Sequence, residues 1–238
     1  MPPNAADPLL VERLVIANRI LYQHEIVDGF GHVSVRHDQS PQRFLLSRSL
    51  APARVRREDI MSFDLEGNAL DADSRAPYLE RFIHSAIYRS RPDVQAIVHS
   101  HSPSVIPFAS TRQPLRPLYH MSAFLGTGSA LFEIREAGGN TDMLIRNQQL
   151  GAALATSLGE RSVVLMRGHG STVVGTSLEQ AVFRAIYTEM NARLQAQAHS
   201  LGEPVFLNEE EAEAAARTND GQIRRAWDLW QDAIGQIN

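Results

Sequence analysis

The stretch Arg91-Pro-Asp-Val-Gln-Ala-Ile-Val-His-Ser-His101 decides the fold of this chain. Its apolar run, Val94 to Val98, reads as a buried strand that ends on two histidines. Side chains at i and i+2 of a strand point to one face, about 7 Å apart along the chain. His99 and His101 therefore converge on one side of a sheet, where two imidazoles suit a small cation. A second apolar run, Ser162 to Met166, reads as another buried strand and is followed by Arg167-Gly-His-Gly170. The glycines around His169 let backbone approach a ligand closely. Two buried strands that each deliver histidine, with an acidic partner upstream, predict a metal site assembled from separate parts of the chain.

Working outward from this centre, Leu9 to about Glu25 carries Leu10, Leu14, Ala17 and Leu21 on one stripe and reads as an amphipathic helix. Asp28-Gly-Phe-Gly31 stops it. Short strands follow at Val33–Arg36, Phe44–Ser47 and Ile60–Asp64, the last joined to Ala69-Leu70 through a Glu66-Gly-Asn68 hairpin tip. Pro77 is expected to open a helix with Leu79, Phe82, Ile83, Ala86 and Ile87 on its apolar stripe, ending before Pro92. Beyond His101 come a proline-rich connection and a glycine-rich stretch from Gly126 to Asn140. A helix from about Asp142 to Ser157 then leads into the Val163 strand. The tail reads as three helices, Leu178 to Ser200, Glu209 to Arg217 and Gly221 to Gln236. Strands alternating with helices imply a layered α/β arrangement, and the early cluster of short strands implies a mixed sheet. No repeat or flexible linker interrupts this order, so one domain over residues 1–238 is expected.

Bulk properties narrow the function. The chain has 238 residues, 43% of them apolar, and a formal charge of −4. That is enough for a substantial core and argues against a nucleic-acid partner, which calls for a basic face. No run of about 18 apolar residues is present, so no membrane partner is expected. Met-Pro-Pro-Asn-Ala-Ala-Asp7 lacks the basic start and apolar stretch of a secretory signal, and a cytoplasmic protein is expected. With no cysteine, disulfides and thiolate ligands are excluded, as is a cysteine nucleophile.

Among chemistry-bearing residues, Glu80 is the natural acidic fourth member of the site. It stands four positions before His84, so a rival pairing of Glu80 with His84 across one helical turn remains open. His32 lies in the glycine turn Gly29-Phe-Gly-His-Val33, and His120 in the irregular Leu118-Tyr-His-Met-Ser122. Both are candidates to face a pocket, whereas His24, His37 and His199 read as surface or helix-end residues. Arg48 and Arg116 are candidates to clamp a carboxylate in a bidentate pair.

These motifs together resemble the class II aldolase/adducin family. The anchors are Pro77-Tyr-Leu-Glu80 with His84, Arg91 to His101, and Arg167-Gly-His-Gly170, in that order. The resemblance implies a three-layer α/β/α sandwich around a central mixed, largely antiparallel sheet, and a homotetramer with sites near subunit interfaces. It also implies one divalent transition metal ion per subunit, held by His99, His101 and His169, with Glu80 as an acid/base glutamate that also touches the metal. Sugar-phosphate aldolases of the family carry a Ser-Ser pair before that glutamate and a Gly-Asn pair in the early loop. Here those positions read Tyr78-Leu79 and Gly31-His32, which suits a planar, unphosphorylated ring. With Phe30-Gly-His-Val-Ser-Val35, Leu45-Leu-Ser-Arg48 and Ser102 to Phe108, the chain is similar to a branch that decarboxylates hydroxylated aromatic carboxylates. Examples are 3-hydroxy-2-methylpyridine-4,5-dicarboxylate and dihydroxyphthalates.

The expected reaction is thus metal-dependent decarboxylation, with Mn2+ or Zn2+ draining charge from the ring through an adjacent oxygen. Glu80 is expected to be the proton donor, with a pKa raised by burial. His120 would supplement proton transfer, and His32, Ser47, Arg48 and Tyr78 would contact the substrate. An aldolase acting on an unphosphorylated hydroxy-acid or sugar acid is the alternative, and a non-catalytic adducin-like binding module the third reading.

Overall fold

The computed structural model describes residues 6–71 and 73–235. Met1–Ala5, on which the signal-peptide reading rests, and Gln236, the expected end of the last helix, lie outside them. The first helix, α1 (Pro8–Gln23), starts where the Asp7 side chain accepts the Leu9 N–H at 2.9 Å and proline occupies the first position. Strands β1 (His32–Arg36), β2 (Arg43–Ser47) and β3 (Ile60–Asp64) form an antiparallel meander. The expected hairpin tip is present as a bridge between Phe63 and Ala69, with the Asp64 carboxylate accepting the N–H groups of Glu66 and Asn68.

Helix α2 (Arg81–Ser90) leads into β4 (Ala96–Ser100), which is buried along its whole length. Then come the short helix α3 (Ile106–Ala109), a 3-10 turn at His120–Leu125, β5 (Ala130–Phe132) and α4 (Ile134–Gly138). Helix α5 (Gln148–Leu158) precedes a hairpin of β6 (Val163–Met166) and β7 (Gly170–Gly175). The chain closes with α6 (Leu178–Leu201), α7 (Glu209–Asp220) and α8 (Ile223–Gly235).

The strands lie in the order β3-β2-β1-β4-β7-β6-β5, every neighbour antiparallel except β5 with β6. The sheet is therefore mixed and largely antiparallel. Its two faces bury separate cores. Ala96 and Val98 of β4 pack with α1, α6 and α8, while Ile97 packs with α2 and α5, completing the α/β/α sandwich. His99 follows Ile97 by two residues and so faces α2.

Two helix starts differ from the sequence reading, and α3, β5, α4 and β7 fall where it had connections. Helix α2 begins at Arg81 rather than Pro77, because residues before it are tied to the loop after β2. The Ser49 N–H donates to the Ala76 carbonyl, and the Tyr78 hydroxyl donates to the Leu50 carbonyl. Glu80 thus sits at the helix N-cap. Helix α5 begins at Gln148, not Asp142, where the Asn147 side chain accepts the Leu150 N–H. Strand β7 was not anticipated. It is polar at Ser171 and Thr172, and at Gly170 it runs so close to β4 that a Cβ would stand 2.0 Å from the Ser100 carbonyl oxygen.

Candidate metal centre and active site

The N-cap of α2, the end of β4 and the β6–β7 turn bring Glu80, His99, His101 and His169 together. Each offers one ligand atom, and these atoms all lie within 4.8 Å of one another. Glu80 Oε2 is 3.6 Å from His99 Nε2 and 3.5 Å from His169 Nε2, and the Nε2 atoms of His101 and His169 are 3.1 Å apart. A tetrahedral ion with bonds of about 2.1 Å spaces its ligands by roughly 3.4 Å, so this spacing fits a first-row divalent cation.

The surroundings fix which nitrogen carries each proton. His99 Nδ1 lies 3.1 Å from the Ser171 carbonyl oxygen and His169 Nδ1 lies 3.0 Å from that of Met143. A carbonyl accepts only, so both rings are protonated at Nδ1 and turn an Nε2 lone pair inward. His99 Nε2 is buried without a hydrogen-bond partner, a costly state for a basic nitrogen unless a cation meets it. Three nitrogens and a carboxylate oxygen are thus a donor set that fits a divalent metal. Met143 has φ +73°, the left-handed region that a methionine rarely adopts, and that turn sets the carbonyl received by His169.

Glu80 departs from expectation. Burial alone pushes its carboxyl up, but the imidazoles of His169 and His99 beside it and the Ile145 N–H donated to Oε1 at 2.9 Å together bring it down to about 2. It is a carboxylate at neutral pH, not a stored acid. The rival Glu80–His84 pair does not form a site, because both nitrogens of His84 are engaged elsewhere, by Ser34 and His32.

The remaining candidates fall into two groups. His32 is paired with His99 in the β1–β4 register, with ring centroids 5.0 Å apart, and Tyr78 packs on His32 at 4.7 Å. Ser47 donates to the Tyr78 hydroxyl at 3.3 Å. His32 thus borders the cluster and links Tyr78 and Ser47 to it, while Phe30, 70% exposed, lies 6.4 Å from the His101 ring. Arg48 is turned elsewhere. Its Nε donates to Asp59 at 2.6 Å, and it lines a cavity of about 740 Å³ with Arg19, Tyr22, Arg54 and Arg56, where no member of the cluster appears. His120 is exposed in the 3-10 turn and touches Tyr119, not the cluster. Arg116 lies over Phe206. His24 stacks edge-on with Trp230 and His199 meets Gln113, but His37 is buried rather than at the surface, its Nδ1 accepting the Gln39 N–H.

Sequence reading missed the Ser171 and Met143 carbonyls and the Ile145 N–H, since backbone groups leave no residue-type signal. It also missed the partners of His84. Their signal was present as polar residues alternating with valines in His32-Val-Ser-Val-Arg36, opposite His84 and Tyr88 one helical turn apart.

A layered sheet with imidazoles and a carboxylate gathered at its centre agrees with the family evidence. Residues 12–196 match the Class II Aldolase and Adducin N-terminal domain, and the chain belongs to that family. It is 37% identical to Decarboxylase tropJ of Talaromyces stipitatus over 95% of this chain and 94% of that protein. It is 35% identical to the 3,4-dihydroxyphthalate decarboxylase of Arthrobacter keyseri, over 80% of this chain and 79% of that protein. Among solved structures, the L-fuculose 1-phosphate aldolase from Glaciozyma antarctica superposes with a TM-score of 0.80 at 26% identity, covering 99% of this chain and 96% of that one.

Proposed function

We propose that this chain is a carbon–carbon lyase that decarboxylates a hydroxylated aromatic or heteroaromatic dicarboxylic acid with a divalent metal. The observation that carries the reading is the three-histidine, one-carboxylate cluster, with Phe30 and His32 beside it and Tyr78 packed on His32. Aromatic and apolar groups there offer a planar ring contact area, and the two short hydroxyls of the sugar-phosphate aldolases are missing. The decarboxylase relatives, at 37% and 35% identity, support the same choice.

When bound by Glu80, His99, His101 and His169, a divalent cation such as Mn2+ or Zn2+ supplies Lewis-acid stabilisation of negative charge on a ring oxygen. The protein side chains account for the proton. Glu80 enters as a carboxylate, so it takes the proton of the substrate's ring hydroxyl instead of bringing one of its own. The carboxylate-bearing carbon then loses CO2, and its electron pair stays in the ring. Glu80 returns the same proton to that carbon, so one O–H and one C–C bond are broken, one C–H bond is formed, and the ring oxygen leaves as an anion that regains a proton from water. Tyr78 and Phe30 bound the ring, and Ser47 orients Tyr78. His120, exposed and apart from the cluster, is given no step. Among the described residues no helix is long and apolar enough to cross a membrane, which suits a cytoplasmic enzyme.

The test is to incubate purified protein, loaded with Mn2+ or Zn2+, with 3,4-dihydroxyphthalate and with hydroxypyridine dicarboxylates, and to measure CO2 and the decarboxylated ring. Release of an aldehyde from an unphosphorylated hydroxy-acid, with no CO2 from any ring acid, would replace this reading with the aldolase one.

A further inference from the structure

Behind the cluster runs a second buried polar line. Strand β1 turns His32 and Ser34 toward α2, and each is almost wholly buried. Ser34 Oγ lies 2.8 Å from the Tyr88 hydroxyl and 2.6 Å from His84 Nδ1, and His84 Nε2 lies 2.7 Å from His32 Nδ1. Tyr88–Ser34–His84–His32 is thus an unbranched line from the core to the edge of the candidate site, where His32 stands beside His99.

Its protons can be ordered in two directions, and only one leaves no donor stranded. In the first, Tyr88 donates to Ser34, Ser34 donates to His84 Nδ1, and His84 Nε2–H donates to His32 Nδ1. In the reverse order the Tyr88 O–H has no acceptor. Among the described residues its hydroxyl meets Ser34 alone, and its ring is enclosed by Phe44 and the Arg36 guanidinium. A stranded buried hydroxyl proton is the costlier state. Burial also holds His84 neutral, so it has one proton to give.

This order sorts the crowded imidazoles. His99 and His169 face carbonyl acceptors at Nδ1 and present lone pairs at Nε2. His32 faces a donor at Nδ1 and must carry its proton on Nε2. We propose that Tyr88, Ser34 and His84 are positioning residues that hold His32 as a neutral Nε2–H donor to an anionic substrate oxygen beside the cluster, and not as a fifth metal ligand. The identity of that oxygen rests on the proposed function; the proton order does not.

Magic-angle-spinning NMR of 15N-histidine-labelled protein tests the order directly, with the His32 signals assigned by their loss in His32→Asn. We expect a pyrrole-type Nε2 and a pyridine-type Nδ1 for His32, unchanged on loading with Zn2+, and the opposite pattern for His99 and His169. A protonated Nδ1 at His32, or an Nε2 signal that moves with Zn2+ as that of His99 does, overturns the proposal. Ser34→Ala cuts the line, so both His32 tautomers should appear while Zn2+ stays at one per subunit, and Ser34→Thr should restore the single form. A single tautomer in Ser34→Ala would also overturn it. With 3,4-dihydroxyphthalate, Ser34→Ala should raise KM about tenfold with a smaller change in kcat. If that acid proves not to be a substrate, the wild-type spectrum still decides the proton order, so the two readings fail separately.

Discussion

Removing one imidazole from the cluster should separate cation binding from folding, and His99→Ala is the sharpest way to do it. In wild type, a cation present at about 100 times its Kd stabilises the folded state by roughly 2.7 kcal/mol. For a chain of this size about 1 kcal/mol corresponds to roughly 2–4 °C, so added Zn2+ or Mn2+ should raise Tm by about 5–11 °C. His99→Ala removes the buried nitrogen that lacks a partner, which relieves about 1–3 kcal/mol. It also loses the Ser171 contact and leaves a cavity, at a cost of roughly 2–5 kcal/mol. The metal-free variant should therefore lie within about 4 kcal/mol of metal-free wild type. Its response to the cation, however, should nearly vanish. Differential scanning calorimetry of chelator-treated protein, with and without added cation, measures both quantities. An equal metal-induced Tm shift in His99→Ala and wild type would refute the assignment of His99 as a ligand.

Other substitutions examine the surrounding parts. Glu80→Gln should keep the fold, weaken cation binding about tenfold and slow turnover by roughly 10²-fold or more; turnover near wild type would remove Glu80 from proton transfer. Burial lowers His84 to about 3, below its ordinary 6.5, so the unfolded chain binds this proton first as pH falls. Stability from His84 is complete above about pH 6.5 and is lost as pH falls toward 3. His84→Gln should accordingly reduce the slope of unfolding free energy against pH near pH 5 by about one proton, and an unchanged slope in urea titrations would contradict the buried neutral state. Gly170→Ala drives a methyl against the Ser100 carbonyl and should cost several kcal/mol or displace β7, with loss of cation binding; a variant of wild-type stability would mean β4 and β7 can separate freely.

Much of the layered fold was legible in residue pattern. The Val94–Val98 and Ser162–Met166 runs each became central strands because apolar residues buried on both faces of a sheet leave a continuous signature. That the histidines at their ends gather with Glu80 was legible for the same reason, since a strand end is a defined place and residue type is visible. Strand β7 was not, because Gly170, Ser171 and Thr172 are read as a loop until β4 and β6 enclose them.

Protonation and hydrogen-bond direction belonged to tertiary structure alone. The pKa of Glu80 depends on the balance between burial and contacts with positions far along the chain, His99, Ile145 and His169. From sequence, burial was the only term in view, and it has the opposite sign. Likewise, His32 and His99 look alike in the sequence, two histidines at strand ends. Only the packing places a carbonyl beside one and the His84 imidazole beside the other. Residue order therefore determined which groups are available and on which face each strand presents them. The folded arrangement decided where each proton rests, because that depends on the partner met across space.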